Sequence, residues 1–286
     1  MKAKLSIIKY IFAAIIFSAG LSIFLYPTIS GLVNERSQTT LISSYQESIA
    51  AISDEVKYET LEQARAYNRS LVGRQTGLLD PFDVSEQAPK VVSFLEVGGI
   101  LGYLEIPMIG VELPIYDGAT DANLQKGVGW LSGTSLPVGG ESTHTVLSGH
   151  RGLPTSRLFT DINKMQVGDE FYIRNLTDIL AYKVIEIKIV EPGDTSSLGI
   201  TEGRDLATLL TCHPYMVNSH RLLIIGERTP YTGQLEVIEP STNFIENLTP
   251  VERSFGLAIL ASSALLVLLV IFIWRSRKKS KKKKEA

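Results

Sequence analysis

The apolar positions of this chain change their rhythm three times between its ends. Near the start, Tyr10 to Tyr26 run without a charged residue, behind Lys2, Lys4 and Lys9. Near the end, Phe255 to Trp274 do the same, ahead of Arg275, Arg277 and six lysines. Spanning hydrocarbon as helix takes about 20 apolar residues. The second stretch meets that length. The first does so with Lys9 at the bilayer edge, since a lysine at mid-membrane costs about 2.5–3.5 kcal/mol.

Between these stretches the period shifts from helical to alternating. Leu41, Tyr45, Ile49, Ile52 and Val56 fall at steps of 4, 4, 3 and 4, and Leu61, Ala64, Tyr67 and Leu71 follow at 3, 3 and 4. Such spacing marks one helical face, so Asn34 to Val72 predict two amphipathic helices or one bent helix near the membrane. A loop from Gly73 to Phe94 follows. From Gly98 onward, short β-branched runs alternate with Gly, Pro and Asp: residues 100–106, 111–116, 144–148, 170–174, 181–190, 207–211 and 221–228. That pattern predicts an all-β barrel or sandwich, with a short helix over Asp161–Met165.

Charge decides the topology. Both basic clusters lie on the terminal side of their apolar stretches, so the positive-inside rule places both termini in the cytoplasm and residues 27–254 outside. No Ala-x-Ala cleavage site follows Tyr26, which favours an uncleaved anchor over a signal peptide. The outward segment holds 17 Lys and Arg against 29 Asp and Glu, a net charge near −12. Such acidity argues against a nucleic-acid partner, and the basic tail reads as a topology signal. The domain plan is a start and anchor (1–26), a helical extension with loop (27–97), a β domain (98–231), a linker (232–254), a second span (255–274) and a cytoplasmic tail (275–286). The expected location is a two-pass cell-membrane protein.

Cys212 is the one cysteine in the sequence. A lone thiol forms no internal disulfide, which leaves a small buried hydrophobe or a nucleophile. It closes Thr208-Leu209-Leu210-Thr211-Cys212 at the end of a predicted strand, and Arg221 opens the next. Antiparallel neighbours set the end of one strand beside the start of the other. His150, in Ser148-Gly149-His150-Arg151-Gly152, likewise ends an apolar run. A guanidinium or imidazolium lowers a thiol's pKa, histidine returns a proton to a leaving amine, and arginine donates to a developing oxyanion. Each signal alone has a bland alternative: a structural thiol, a solvated His, a solvated Arg.

Thr-Leu-Leu-Thr-Cys followed by arginine nine residues on, with Ser-Gly-His-Arg-Gly upstream, resembles the signature of the sortases across about Gly98 to Arg228. These are membrane-anchored cysteine transpeptidases of Gram-positive bacteria. The resemblance implies an eight-stranded β-barrel with N-terminal helices and two flanking transmembrane helices. It implies catalytic roles for Cys212, His150 and Arg221. No cofactor is expected, and no metal, since the sequence shows no evident metal-ligand cluster. Glu105 and Glu112 lie where the housekeeping class has calcium ligands, and two acids do not make a site.

The second span, the helical extension and Asp80-Pro81-Phe82 resemble the pilin-polymerising class C branch. There the aspartate of a lid pairs with the arginine and the aromatic ring covers the thiol; the alternative is an ordinary Asp-Pro turn. The implied activity cleaves an LPxTG-like signal between Thr and Gly and joins the Thr to a lysine amine of another pilin subunit. The rival readings are anchoring of surface proteins to peptidoglycan and a non-enzymatic two-pass scaffold. His144 is expected to be structural, His213 and His220 to be substrate contacts, and the segment between Val190 and Leu206 to help form a substrate groove.

Overall fold

A computed structural model describes residues 2–73, 78, 80–82 and 95–233. The predicted second span and tail, the linker beyond Gly233 and the rest of the loop before Leu95 lie outside the described residues. Helix α1 is continuous from Lys2 to Ala51, with Pro27 inside it. Helix α2 (Asp54–Leu71) starts at Ser53, whose hydroxyl accepts from the Val56 N–H. Two helices therefore share the predicted amphipathic zone, and the break at Ile52–Ser53 leaves Val56 exposed.

Eight strands then close a barrel: β1 (Gly102–Ile106), β2 (Val111–Tyr116), β3 (Val128–Trp130), β4 (Thr143–Ser148), β5 (Glu170–Arg174), β6 (Ile179–Val190), β7 (Asp205–His213) and β8 (His220–Thr229). The order around it is β1-β2-β3-β4-β7-β8-β6-β5, with β5 returning to β1. Pairs β2–β3 and β4–β7 are parallel and the others antiparallel. β3 has three residues, too few to show a period, and the sequence pattern passes over it. The predicted helix at 161–165 is a single 3₁₀ turn, Ile162–Lys164.

Side chains of alternating parity fill the barrel, as a period of two requires: Leu104, Ile106, Leu113, Ile115, Trp130, Leu147, Phe171, Ile173, Tyr182, Leu209, Leu222 and Ile224. Leu61 and Ala64 of α2 join this core, and Tyr67 meets Trp130 edge to face at 6.1 Å. Asn68, buried on the same helix, bonds both the N–H and the carbonyl of Leu136. From α1, Ile42 and Tyr45 pack on Ile100 and Tyr103. Gln46 donates to the Tyr103 hydroxyl at 2.7 Å.

Strand β7 is buried on both faces. One face enters the core. The other, with Leu210 and Cys212, joins Val146, Leu223 and Ile225 in a patch on the barrel's outer side.

Candidate active site

The hairpin of β7 and β8 sets Cys212 directly opposite Arg221. Both side chains share the outer face, because Cys212 is two residues from Leu210 on β7 and Arg221 two from Leu223 on β8. They are 7% and 8% exposed. The β4–β7 pairing, parallel through Ser148↔Leu210, carries the chain after β4 to the same rim, and His150 lies there.

Backbone bonds hold the His150 turn. Thr211 donates its hydroxyl to the Gly149 carbonyl at 2.7 Å, the Gly149 N–H donates to Leu210 at 3.1 Å, and the His150 carbonyl accepts from Phe159 at 3.1 Å. A Cβ at residue 149 would sit 2.7 Å from the Phe159 ring, so only glycine fits. Arg151 ties this turn to the β7–β8 loop: it donates to the Thr160 carbonyl, approaches His213 Nδ1 at 3.3 Å and lies over the Tyr215 ring.

Asp80 grips the arginine. Arg221 Nε donates to its carboxylate at 3.0 Å and Nη2 donates to the second oxygen. Nη1 donates to the carbonyls of Asn218 and His220 at 3.1 and 3.0 Å. Four of the guanidinium's five N–H donors are thus engaged. The Phe82 ring lies 5.2 Å from the Arg221 guanidinium carbon and 5.6 Å from the His150 ring. Leu78 and Phe82 also pack on the outer patch, which Leu131, Leu198 and Val190 complete. Asp80 additionally accepts the Phe82 N–H at 3.3 Å, so this segment is a local Asx turn and a cover over the patch at once.

Burial disfavours charge on both the thiol and the imidazole. Burial pushes the Cys212 thiol up, Arg221 pulls it down, and Asp80 pushes it up again; the net shift is upward. Burial lowers His150, while Asp121, 3.6 Å away, opposes that. Both shifts favour a protonated thiol and a neutral imidazole at neutral pH, beside an arginine occupied by a carboxylate.

The other sequence candidates fall as follows. His144 is buried on the same outer face, with Nδ1 2.8 Å from the Gly199 carbonyl and Nε2 2.7 Å from the Thr208 hydroxyl, a brace between β4, β7 and the β6–β7 segment. His213 and His220 pair at the loop end of the hairpin, His220 3.4 Å from Glu191. Glu105 is taken by Arg174 and lies opposite Glu112 in register. Among the described residues no three acidic, His or Cys side chains gather as a metal cage. Asp121 and the latch through Arg151 and Tyr215 were not anticipated. A Thr-Asp helix start at 120–121 is their one sequence signal, and it does not say what the aspartate faces.

A sequence model of the sortase domain matches residues 104–229. Sortase D of Bacillus subtilis (strain 168) is 34% identical over 148 residues, 50% of this chain and 72% of that protein. Streptococcus agalactiae sortase C1 superposes with a TM-score of 0.65 at 45% identity, covering 68% of this chain and 97% of that one. A Streptococcus pneumoniae sortase C gives 0.63 at 45% identity, over 67% and 97%. The chain belongs to the sortase family, cysteine transpeptidases, and within it to class C. The apolar start of α1 is a candidate membrane anchor, and the domain is extracellular in this family.

Proposed function

We propose that this protein is a two-pass membrane sortase that joins pilin subunits. Cys212 attacks the Thr carbonyl of an LPxTG-like signal, and the tetrahedral oxyanion takes hydrogen bonds from Arg221. His150 takes the thiol's proton as the sulfur attacks and hands it to the departing Gly amine, leaving a thioacyl bond on Cys212. A lysine amine of a second pilin then attacks that carbonyl, His150 takes the amine's proton, and the thiol leaves. One isopeptide bond has formed and one peptide bond has broken.

The observation that carries this reading is the register of Cys212 opposite Arg221 at the rim where His150 lies, with Asp80 and Phe82 over them. Asp80–Phe82 acts as a lid. While closed, it holds the donors that an oxyanion needs and fills the apolar patch where the signal's leucine would lie. The solved sortase C1 of a Streptococcus agalactiae pilus island and the S. pneumoniae enzyme with pilin substrate specificity support the choice of acceptor. Full-length enzyme incubated with a pilin bearing its sorting signal is expected to yield a ladder of linked subunits. Cys212→Ala is expected to abolish ladder and cleavage together, and a ladder persisting in that variant overturns the proposal.

A further inference from the structure

The β7–β8 loop carries three consecutive exposed apolar side chains, Tyr215, Met216 and Val217, at 48%, 68% and 68% exposure. They belong to none of the buried apolar clusters, including the patch beneath Leu78 and Phe82. Backbone geometry holds them out: Met216 and Asn218 sit at φ 65° and 60°. Water gains nothing from such a tip, so its partner lies elsewhere.

Helix α1 says where. It climbs unbroken out of the apolar stretch that ends at Tyr26 and meets the barrel in sequence. The side-chain amide of Asn34 donates to the Thr155 carbonyl at 2.8 Å, and Gly31 lies against the same carbonyl. Next, Gln38 donates to the Lys126 carbonyl at 2.8 Å, and then Tyr45 reaches the Leu101 carbonyl at 3.4 Å. At 1.5 Å of rise per residue these contacts lie about 12, 18 and 28 Å beyond Tyr26.

Leu101 precedes β1, Lys126 precedes β3 and Thr155 follows β4. By strand direction the start of β1 lies at one end of the barrel, while the start of β3, the end of β4 and the end of β7 share the other, so α1 runs along the wall toward the end that bears the β7–β8 loop. Moving toward the bilayer, α1 passes the approach to β1, then to β3, then the loop after β4. That is the order of the barrel itself, and β7 and β8 come next. The β7–β8 loop leaves from this sector and is packed on the β4 loop, where a Cβ on Gly152 would lie 3.0 Å from the Tyr215 ring.

We propose that Tyr215, Met216 and Val217 rest in the interface of the bilayer that α1 crosses. Aromatic and aliphatic side chains are at home at the headgroup–acyl boundary, and Arg151 over the Tyr215 ring places a cation beside anionic headgroups. The contact is not a passive foot. The Asn218 and His220 carbonyls that bind Arg221 Nη1 belong to this loop and its exit, so lipid contact fixes the guanidinium's aim.

The test uses the full chain in vesicles of phosphatidylglycerol and phosphatidylethanolamine. In a Cys212→Ala background, Val217→Cys is labelled with an environment-sensitive nitrobenzoxadiazole dye. Glu141→Cys, exposed at the opposite end of β4, is the control. Dye at position 217 is expected to emit to the blue and to lose intensity with doxyl lipids labelled near the headgroup; dye at 141 is expected to do neither. Equal, unquenched emission at both positions overturns the proposal. So does shielding at 217 that appears only when a sorting peptide is added, which marks a substrate contact. Flotation of the vesicles reads the anchor separately: a chain that fails to float has lost the bilayer from under the loop, and the proposal fails with it. Because Cys212 is absent, none of these outcomes depends on transpeptidation.

Discussion

Asp80 is the residue on which the resting chemistry turns. Its carboxylate raises the Cys212 pKa directly and neutralises the guanidinium that would lower it. Asp80→Asn removes the raising charge and frees the lowering one. The alkylation of Cys212 by iodoacetamide is therefore expected to speed up and its pH profile to move to lower pH; an unmoved profile denies the coupling. His144 makes the opposite kind of statement. Burial holds its pKa below the ordinary 6.5, so the folded state binds fewer protons than the unfolded one in mild acid. The stability it confers is present above about pH 6.5 and is lost as pH falls through the lower folded value. The melting temperature is expected to drop between about pH 7.5 and 5.5, and to drop less in His144→Gln.

Among the elements, the segment over the site and helix α2 carry separable jobs. Removing both contacts of the segment, in Asp80→Ala with Phe82→Ala, is expected to raise the hydrolysis rate of a model LPxTG peptide without lowering the melting temperature. Unchanged hydrolysis would make the segment an ordinary turn. On α2, Asn68 satisfies two buried backbone groups of Leu136. Asn68→Ala leaves them unpaired and is expected to cost about 1–3 kcal/mol per group in a denaturant melt. The difference in legibility between these elements has a physical source. The barrel strands showed in the sequence because a period of two exposes which side chains enter the core, and Cys212 and Arg221 because an antiparallel hairpin joins the ends of neighbouring strands. Asn68 hid because a polar residue on an apolar face carries no sign of the backbone it will bond. β3 hid because three residues hold no period. Asp121 hid because its approach to His150 depends on the parallel β2–β3 crossover, which nothing local encodes.

At the scale of the whole molecule, one continuous helix links a candidate membrane span to the rim that bears the site. Asn34 reaches the loop that carries His150, and that loop is latched through Arg151 and Tyr215 to the hairpin that carries Cys212 and Arg221. The anchor is therefore part of the scaffold that orients the site. Asn34→Ala with Gln38→Ala is expected to slow transfer by the membrane-bound enzyme while Cys212 alkylation stays within about twofold of wild type, less than about 0.5 kcal/mol in activation free energy. An equal loss in both assays would point to general unfolding.

The central claim is that Cys212 carries the acyl group. Full-length enzyme bearing Asp80→Ala, mixed with an LPxTG-like peptide and quenched in acid before an acceptor amine is added, can be weighed intact and then mapped by proteolysis. The account predicts an adduct equal to the peptide up to its threonine, less water, on Cys212 alone, discharged when a lysine amine is supplied. Peptide cleavage with no adduct on that sulfur, or cleavage retained in Cys212→Ala, contradicts it.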